Sequence, residues 1–420
     1  MANRRPERAR NAHWKTAADV LELVRREPGI TRAAAARRMN LSSGSATEIS
    51  TRLRNLRLLA EIAAPVQGRG RPSTVLQPDP HGPLVLAVEL RHEDWRCAVA
   101  TLDGGLQDLQ SGRHHSREPK QVLISLRKAI DRAHRRYPGR LRAVSLAVAG
   151  TVRHDQLAQA STLGWGAVDL SRLTAGTDLA FLLGNDATLA GVAETRAGAA
   201  AGARTALHLT VEVGIGGTLI LDGHPLTGGS GAGGEYGHVP FGDRGLQCPC
   251  GASGCWDLEV DGRALARHLG EPSPADPRGY THQILRRAQG DPRASHAVVS
   301  VVTALAAGIA GLTNAHDPDV ITLGGLAVPL RAAAPGEFNA AYTHGLMTFR
   351  QSQPPPILDA VFRDDGALQG AAAVGLDHVT SAAALADWAE RWISGPPGAS
   401  TGGDRAASGA LGRHRTSRWS

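Results

Sequence analysis

Three of the chain's four cysteines, Cys248, Cys250 and Cys255, fall in one run, Cys-Pro-Cys-Gly-Ala-Ser-Gly-Cys, which starts ten residues after His238. Gly242, Gly245, Pro249, Gly251 and Gly254 mark a loop that can turn tightly enough to bring the thiolates together. Three thiolates and one imidazole are a common closed tetrahedral set for zinc. His238, Cys248, Cys250 and Cys255 are therefore the expected ligands of one Zn2+ ion, with Cys97 apart. The competing reading is buried structural thiols, or a disulfide with one cysteine left over. Four cysteines in 420 residues are too sparse for a disulfide scaffold, so the metal is favoured.

Glu235 precedes His238 by three residues, and Asn185-Asp186 stands upstream where a strand gives way to a helix. A carboxylate, an imidazole, an amide and a second carboxylate suit a polyhydroxylated ligand, because each hydroxyl both donates and accepts. A zinc-bound histidine also keeps a second ring nitrogen whose role the metal fixes. A sugar hydroxyl is the expected partner, which makes the metal the device that positions a sugar-binding loop.

A chain of 420 residues is long enough for two or three domains. No run of eighteen apolar residues occurs and the N-terminus is basic and polar, so neither a membrane span nor secretion is expected. With thiols kept for a metal, the expected compartment is the cytoplasm. Charge is uneven: residues 1–78 hold 15 Lys/Arg against 6 Asp/Glu, a balance of +9, and the other 342 residues come to −2. A basic small domain on a near-neutral body predicts a polyanionic partner for the first part alone.

Residues 1–15, with Arg4, Arg5, Arg8 and Arg10, read as a flexible basic arm. Val20, Leu21, Leu23 and Val24 predict a helix over 17–26, stopped by Pro28-Gly29. Thr31 caps a second helix ending near Met39-Asn40, and Ser42 or Ser43 opens a third, in which Ser45 and Glu48 have capping-box spacing. Ala46, Ile49, Leu53 and Leu56 form its buried stripe, while Ser45, Thr47, Glu48, Ser50, Thr51, Arg52 and Arg54 face outward. This is a helix-turn-helix arrangement. Two strands over 59–64 and 74–77 flank Gly68-Arg69-Gly70-Arg71-Pro72, a wing whose arginines suit a narrow minor groove. Residues 16–78 thus read as a winged helix-turn-helix domain with Ser45, Thr47, Glu48, Thr51, Arg52, Arg69 and Arg71 as candidate DNA contacts. The bland alternative is a small helical interaction domain with solvated charges.

Residues 79–83 are a linker by composition. Beyond them come strands over 84–90, 96–102 and 106–110, a helix from Pro119 with Val122, Leu126, Ile130 and Ala133 on one face, and strands over 141–149 and 179–183. A second series follows: a strand over 207–213, a turn through Gly214-Ile215-Gly216-Gly217, and a strand over 218–221. It continues in a long helix through Val298, Val302, Leu305, Ile309 and Leu312 and a strand over 319–323. Two such series predict a two-lobed α/β body, over 84–378, with a cleft between the lobes. Residues 394–420 have little to bury and are expected to be disordered.

Gly-Glu-Tyr-Gly-His followed ten residues later by Cys-x-Cys-Gly-x-x-Gly-Cys resembles the zinc signature of the ROK family, which groups sugar kinases with sugar-responsive repressors. Asn185-Asp186-Ala and Asp317-Pro-Asp-Val-Ile-Thr-Leu-Gly-Gly are similar to other family patterns, and the winged helix in front points to the NagC/XylR type. The resemblance implies an actin-like, two-lobed ATPase fold, with Asn185, Asp186, Glu235 and His238 holding a sugar or sugar phosphate. It also implies Asp186 as catalytic base in a kinase, and DNA binding as a homodimer or homotetramer. Three departures stand out. Where the kinases carry Asp-x-Gly-Gly-Thr this chain has Glu89-Leu90-Arg91-His92-Glu93-Asp94, and Glu212 stands where a second phosphate loop has glycine. Phosphate loops need small residues and free N–H groups, so ATP binding is expected to be lost and the chain is expected not to be an enzyme. Asp257 replaces a sugar-contacting Glu, leaving Asp257 or Glu259 as the contact. The expected function is a repressor of carbohydrate-metabolism genes that binds operator DNA under the control of a sugar. The alternative is an active sugar kinase with an attached DNA-binding domain.

Overall fold

The computed structural model describes residues 4–64, 74–116 and 118–395. Three helices open the chain, α1 (Arg4–Arg26), α2 (Arg32–Arg38) and α3 (Ser43–Asn55), followed by the hairpin β1 (Leu59–Ala63) and β2 (Thr74–Pro78). Of the expected arm over 1–15, residues 4–15 lie in α1, which is helical from Arg4 onward, and residues 1–3 lie outside the described residues. Trp14 and Ala17 are buried and extend the apolar stripe toward the N-terminus. Pro6 falls in the first turn, where a missing N–H costs the helix nothing. Thr31 caps α2 by accepting from the Ala34 N–H (3.2 Å). On α3 the cap is Ser42, the last extended residue, which accepts from the Ser45 N–H (3.1 Å); the capping box placed at Ser45 does not form. Ser50, expected on the outer face, is buried, because it lies one turn from Ala46 and from Leu53 on the flank of the stripe. The hairpin pairs Leu59 with Pro78 through to Ala63 with Thr74, and its tip, with Arg69 and Arg71, lies outside the described residues.

The first lobe holds β3 (Leu84–Leu90), β4 (Asp94–Ala100), β5 (Leu106–Arg113), α4 (Pro119–Arg136), β6 (Leu141–Val148), the small hairpin β7 (Thr151–Arg153) and β8 (Gln156–Gln159), and β9 (Ala180–Asn185). Its sheet runs β5-β4-β3-β6-β9, with β3, β6 and β9 parallel. β3 is buried along its whole length, as a continuous apolar run requires when both faces are covered. Helix α5 (Asp186–Ala197) leaves the end of β9 and packs between the lobes, against β10 (Thr205–Glu212) and β11 (Gly214–Leu221).

The second lobe continues with β12 (His224–Pro225), α6 (Gly262–Leu269), α7 (Pro277–Arg287), α8 (Pro292–His316), β13 (Val320–Gly325), α9 (Ala327–Ala333), α10 (Pro335–Gly345), α11 (Thr348–Gln351) and β14 (Ile357–Asp359). Its sheet runs β12-β11-β10-β13-β14. Gly214–Gly217 is not the expected turn but the first half of β11, paired with β10 from Glu212 back to Leu209. The glycines serve close packing: a Cβ at Gly216 would lie 2.5 Å from that of Ala187 on α5, and one at Gly217 would lie 2.7 Å from Leu209 Cδ2. Helix α8 is long and apolar enough to cross a membrane by composition, but Val298, Val302, Leu305, Ile309 and Leu312 are buried in the core of this lobe.

Helix α12 (Gly366–Val379) returns to the first lobe and lies on α5 and β3. A further helix, α13 (Ala382–Ser394), falls between the expected end of the body at 378 and the tail from 394, where sequence reading placed nothing. Leu385, Trp388 and Ala389 share one core with Leu21, Val24, Leu53 and Leu56 of the winged helix and with Val85, Ala87 and Ala98 of the first lobe. The Trp388 indole donates to the Leu56 carbonyl (2.8 Å). Arg25 bonds the Leu102 carbonyl (3.0 Å) and Thr380 (3.3 Å). The segment over 79–83 is equally fixed: Asp79 is buried, its N–H donates to the Leu58 carbonyl (3.2 Å), and Arg140 donates to the carbonyls of Gly82 (3.1 Å) and Pro80 (2.6 Å). The winged-helix domain, α13 and the first lobe are therefore packed as one body. Residues 396–420, nearly all of the expected disordered tail, lie outside the described residues.

Candidate functional site

The loop after β11 closes on itself around four side chains. Ligand atoms of His238, Cys248, Cys250 and Cys255 all lie within 4.8 Å of one another. Cys250 Sγ is 3.7 Å from Cys255 Sγ, and Cys248 Sγ is 3.8 Å from His238 Nδ1. Four ligands at about 2.0–2.3 Å from a zinc ion stand about 3.3–3.8 Å apart at the corners of the tetrahedron. A disulfide needs sulfurs about 2.05 Å apart, and all four cysteines are free. The residues thus fit a zinc ion. Backbone turns hold the loop, the Cys248 N–H donating to Ala252 and the Gly254 N–H to Leu246. Glu259 accepts from the Asp243 N–H (2.9 Å) and from Arg267 (2.8 Å), so it braces the loop and faces away from ligand chemistry.

With Nδ1 turned to the sulfurs, His238 Nε2 stands 4.0 Å from Glu235. Both line a cleft of about 590 Å3 between the lobes, together with Asp186, Asn185 and Asp257. The five sequence-derived sugar candidates are therefore brought to one cavity. Asp257 accepts from the Ile215 N–H (2.5 Å) and its carboxylate is 3.9 Å from His238 Nδ1. It is held by glycines, since a Cβ at Gly237 would lie 2.1 Å from Asp257 Oδ1. Of the two acids left open, Asp257 is the one in the cleft. Asn185 caps α5 by accepting from the Thr188 N–H (3.0 Å) and donates to the Gly150 carbonyl (3.1 Å), so much of its amide is spent on structure. Asp186 opens the helix, one oxygen accepting from the Ala187 N–H (2.8 Å). Burial pushes its carboxyl up to about 7, with the Glu89 and Glu212 carboxylates adding to the shift.

The other half of the cleft is filled with paired charges. Glu89, buried on β3, accepts from Arg96 (2.5 Å), which also bonds Asp365 (2.5 Å) and the Asp364 carbonyl. Arg278, on α7, stands 3.2 Å from Glu212 and 2.9 Å from Asp364. Arg91 holds Asp94 through two bonds of 2.7 Å. Burial lifts the Glu212 carboxyl to about 7, and a Cβ at Gly325 would lie 2.6 Å from its Oε1. A polyphosphate needs several unpaired cations and backbone N–H groups, whereas this half presents carboxylates with Arg91, Arg96 and Arg278 already engaged, and Arg363 is the cleft arginine with no ion pair among the described residues. A like charge 4 Å away costs about 4 kcal/mol at a surface-like dielectric.

Sequence reading missed Arg96, Arg278, Asp364 and Asp365, which meet only through the fold and carry no local signature. It also missed Thr162, which lines the cleft and whose buried hydroxyl has no hydrogen-bond partner among the described residues. On α3, Ser45, Thr47 and Glu48 are exposed and Thr51 is half-buried. The Arg52 guanidinium lies 4.3 Å over the Trp14 ring, and Arg54 bonds Glu61 (3.0 Å). The outward face is therefore polar and hydroxyl-rich, with Arg52 packed on Trp14 and Arg54 exposed but paired with Glu61.

Fold and site together define a two-lobed, kinase-type α/β body that carries a loop of one histidine and three cysteines and has a winged-helix domain built onto its first lobe. The ROK family model matches residues 85–378, and the chain belongs to the ROK family. It is 27% identical over 227 residues to a glucokinase of Streptomyces coelicolor, covering 49% of this chain and 71% of that protein. It is 32% identical over 218 residues to a kanosamine kinase of Amycolatopsis mediterranei, covering 51% and 70%. Among solved structures, a ROK family transcriptional regulator, a homologue of the E. coli MLC protein, superposes with a TM-score of 0.75 at 22% identity. That match covers 90% of this chain and 99% of the other, and at this identity it speaks for the fold.

Proposed function

We propose that this chain is a sugar-responsive, DNA-binding transcriptional regulator, a repressor of carbohydrate-metabolism genes, and not a sugar kinase. The observation that carries the reading is the cluster of Glu89, Glu212 and Asp364 with Arg96 and Arg278 in one half of the cleft, which includes the two positions, Glu89 and Glu212, where the kinases of the family carry their phosphate loops. The sugar half keeps Asp186, Glu235, His238 and Asp257 around one cavity. Supporting the regulatory role is a helix-turn-helix with a paired wing hairpin, fused through α13 to the first lobe. Retained Asp186, with a carboxyl near 7, and relatives named as kinases favour the second reading, an active kinase.

In this proposal zinc is held by His238, Cys248, Cys250 and Cys255, a closed four-ligand set whose contribution is rigidity. Engagement of His238 Nδ1 leaves Nε2 as an N–H donor toward a sugar hydroxyl, while Glu235 and Asp257 accept from hydroxyls. The ligand touches both lobes and biases their angle. Because the winged helix is built onto the first lobe, a change of angle shifts the spacing of two recognition helices in a homodimer or homotetramer. Half-sites have fixed spacing, and a coupling of about 1–3 kcal/mol is the usual range for such linkage. The protein acts in the cytoplasm, on operator DNA. A thermal-shift panel of sugars, sugar phosphates and ATP tests the reading. The expected result is stabilisation by a sugar and none by ATP, and stabilisation by ATP alone would overturn it.

A further inference from the structure

We infer that the cleft takes a sugar bearing an ammonium group, which sits against Asp186, and that it rejects phosphorylated sugars. This rests on the proposed sugar site and names its ligand class. Nine carboxylates line the cavity against three arginines, Arg91, Arg278 and Arg363. Most of these acids already have partners, and the partners are shared. Arg96 serves both Glu89 and Asp365, and Arg278 serves both Glu212 and Asp364. Two guanidinium groups thus face four carboxylates, and Arg91, the other cation acting on Glu89 and Glu212, is itself bound to Asp94, so this layer is short of positive charge.

Asp186 stands beside this layer as a further acid, one that gives up its proton readily only when a positive charge is near. The charged groups that act on it are Glu89 and Glu212, both acidic. One oxygen is occupied by the Ala187 N–H, and the residue lines the cavity. An anionic ligand entering here meets uncompensated acids, a neutral one leaves them holding protons, and a cation lets them ionise and pairs with them. A divalent metal is a poor fit. Among the described residues the only set of three or more His, Cys, Asp and Glu side chains close enough to share an ion is that of His238 and the three loop cysteines. An ammonium group needs no converging oxygens, for its three N–H donors can reach separate acceptors. At the other end of the cavity, Glu235, His238 Nε2 and Asp257 present the alternating donors and acceptors that ring hydroxyls require. The arrangement therefore matches a polyhydroxylated ring with one positively charged substituent.

The test is calorimetric titration of the full zinc-loaded chain at pH 7. The probes are 2-, 3- and 6-amino-deoxyglucose, their N-acetyl forms, glucose and glucose 6-phosphate. At least one amino sugar should bind about tenfold or more tighter than glucose, in the range of a charge-assisted hydrogen bond. Its N-acetyl form should lose that advantage, and the phosphate should bind weakest. In Asp186→Asn, which keeps an oxygen for the Ala187 N–H, the ratio of amino sugar to glucose affinity should fall toward one, and Glu212→Gln should narrow it. Glucose or its phosphate binding as tightly as every amino sugar overturns the inference and leaves the sugar-responsive reading standing. Stabilisation by magnesium chloride alone, abolished in Asp186→Asn, assigns the charge to a metal and also overturns it. Binding of no sugar of any kind removes the sugar reading itself.

Discussion

Trp388 is the side chain through which α13 joins the winged helix to the first lobe. Its ring is 2% exposed in the shared core, and its indole N–H donates to Leu56 at the end of α3 (2.8 Å). Trp388→Ala removes the ring and leaves the Leu56 carbonyl buried without its donor. A core Trp→Ala costs about 3–5 kcal/mol, and an orphaned carbonyl accounts for about 1–3 kcal/mol of destabilisation at such sites. Trp388→Phe keeps most of the packing and isolates the second effect. Scanning calorimetry of the full chain should show the winged helix and first lobe melting together in the wild type. In Trp388→Ala the winged helix should melt separately at lower temperature, and Trp388→Phe should fall between. A wild-type chain whose winged helix already melts apart, or a Trp388→Ala chain that loses less than about 0.5 kcal/mol, would refute the claim that α13 makes them one body.

Zinc should be present at one ion per chain and be lost in Cys250→Ser, as elemental analysis of the purified proteins will show; unchanged zinc in the variant removes the assignment of His238 and the three cysteines as ligands. A coupled assay should give no sugar phosphorylation with ATP, and turnover that disappears in Asp186→Asn would promote the kinase reading. Asp186 has its folded carboxyl raised to about 7, above about 3.9 in an unfolded chain. The unfolded state therefore releases its proton first, and this residue makes stability fall as pH rises from about 4 to about 7, by at most about 1.4 kcal/mol per pH unit. Asp186→Asn should flatten that part of a melting-temperature profile, and an unchanged profile contradicts it. Arg71→Ala should weaken operator binding while sugar binding stays unchanged, as fluorescence anisotropy and calorimetry will show.

What could be read from the sequence was whatever local spacing encodes. The thiol run with His238, the helical stripe of α3, the buried face of α4 and the apolar strands β3 and β6 all stand where their periodicity places them. Gly216 and Gly217 misled because glycine signals a turn by propensity but here serves close approach, of α5 to β11 at Gly216 and of the Leu209 and Tyr236 side chains at Gly217, a tertiary demand. The linker at 79–83 has turn composition, yet Arg140 and Leu58 fix it from far along the chain. Nothing near Arg96 or Arg278 announces a role, because their partners at 364 and 365 arrive through the packing of α12 on the first lobe. Helix α13 was invisible for a related reason: its apolar side is completed by α1 and by Leu56.

The central claim is that occupancy of the cleft is felt at the operator. The direct measurement is titration of operator DNA by the full chain at fixed salt, with and without the sugar identified by the thermal panel, in wild type and in Glu235→Ala. Salt is held fixed because phosphate contacts make affinity steeply salt-dependent. The account predicts that sugar weakens wild-type binding by about 5- to 150-fold, and that Glu235→Ala binds the operator as the wild type does but ignores the sugar. A full response in Glu235→Ala, or operator binding indifferent to sugar in the wild type, would contradict it.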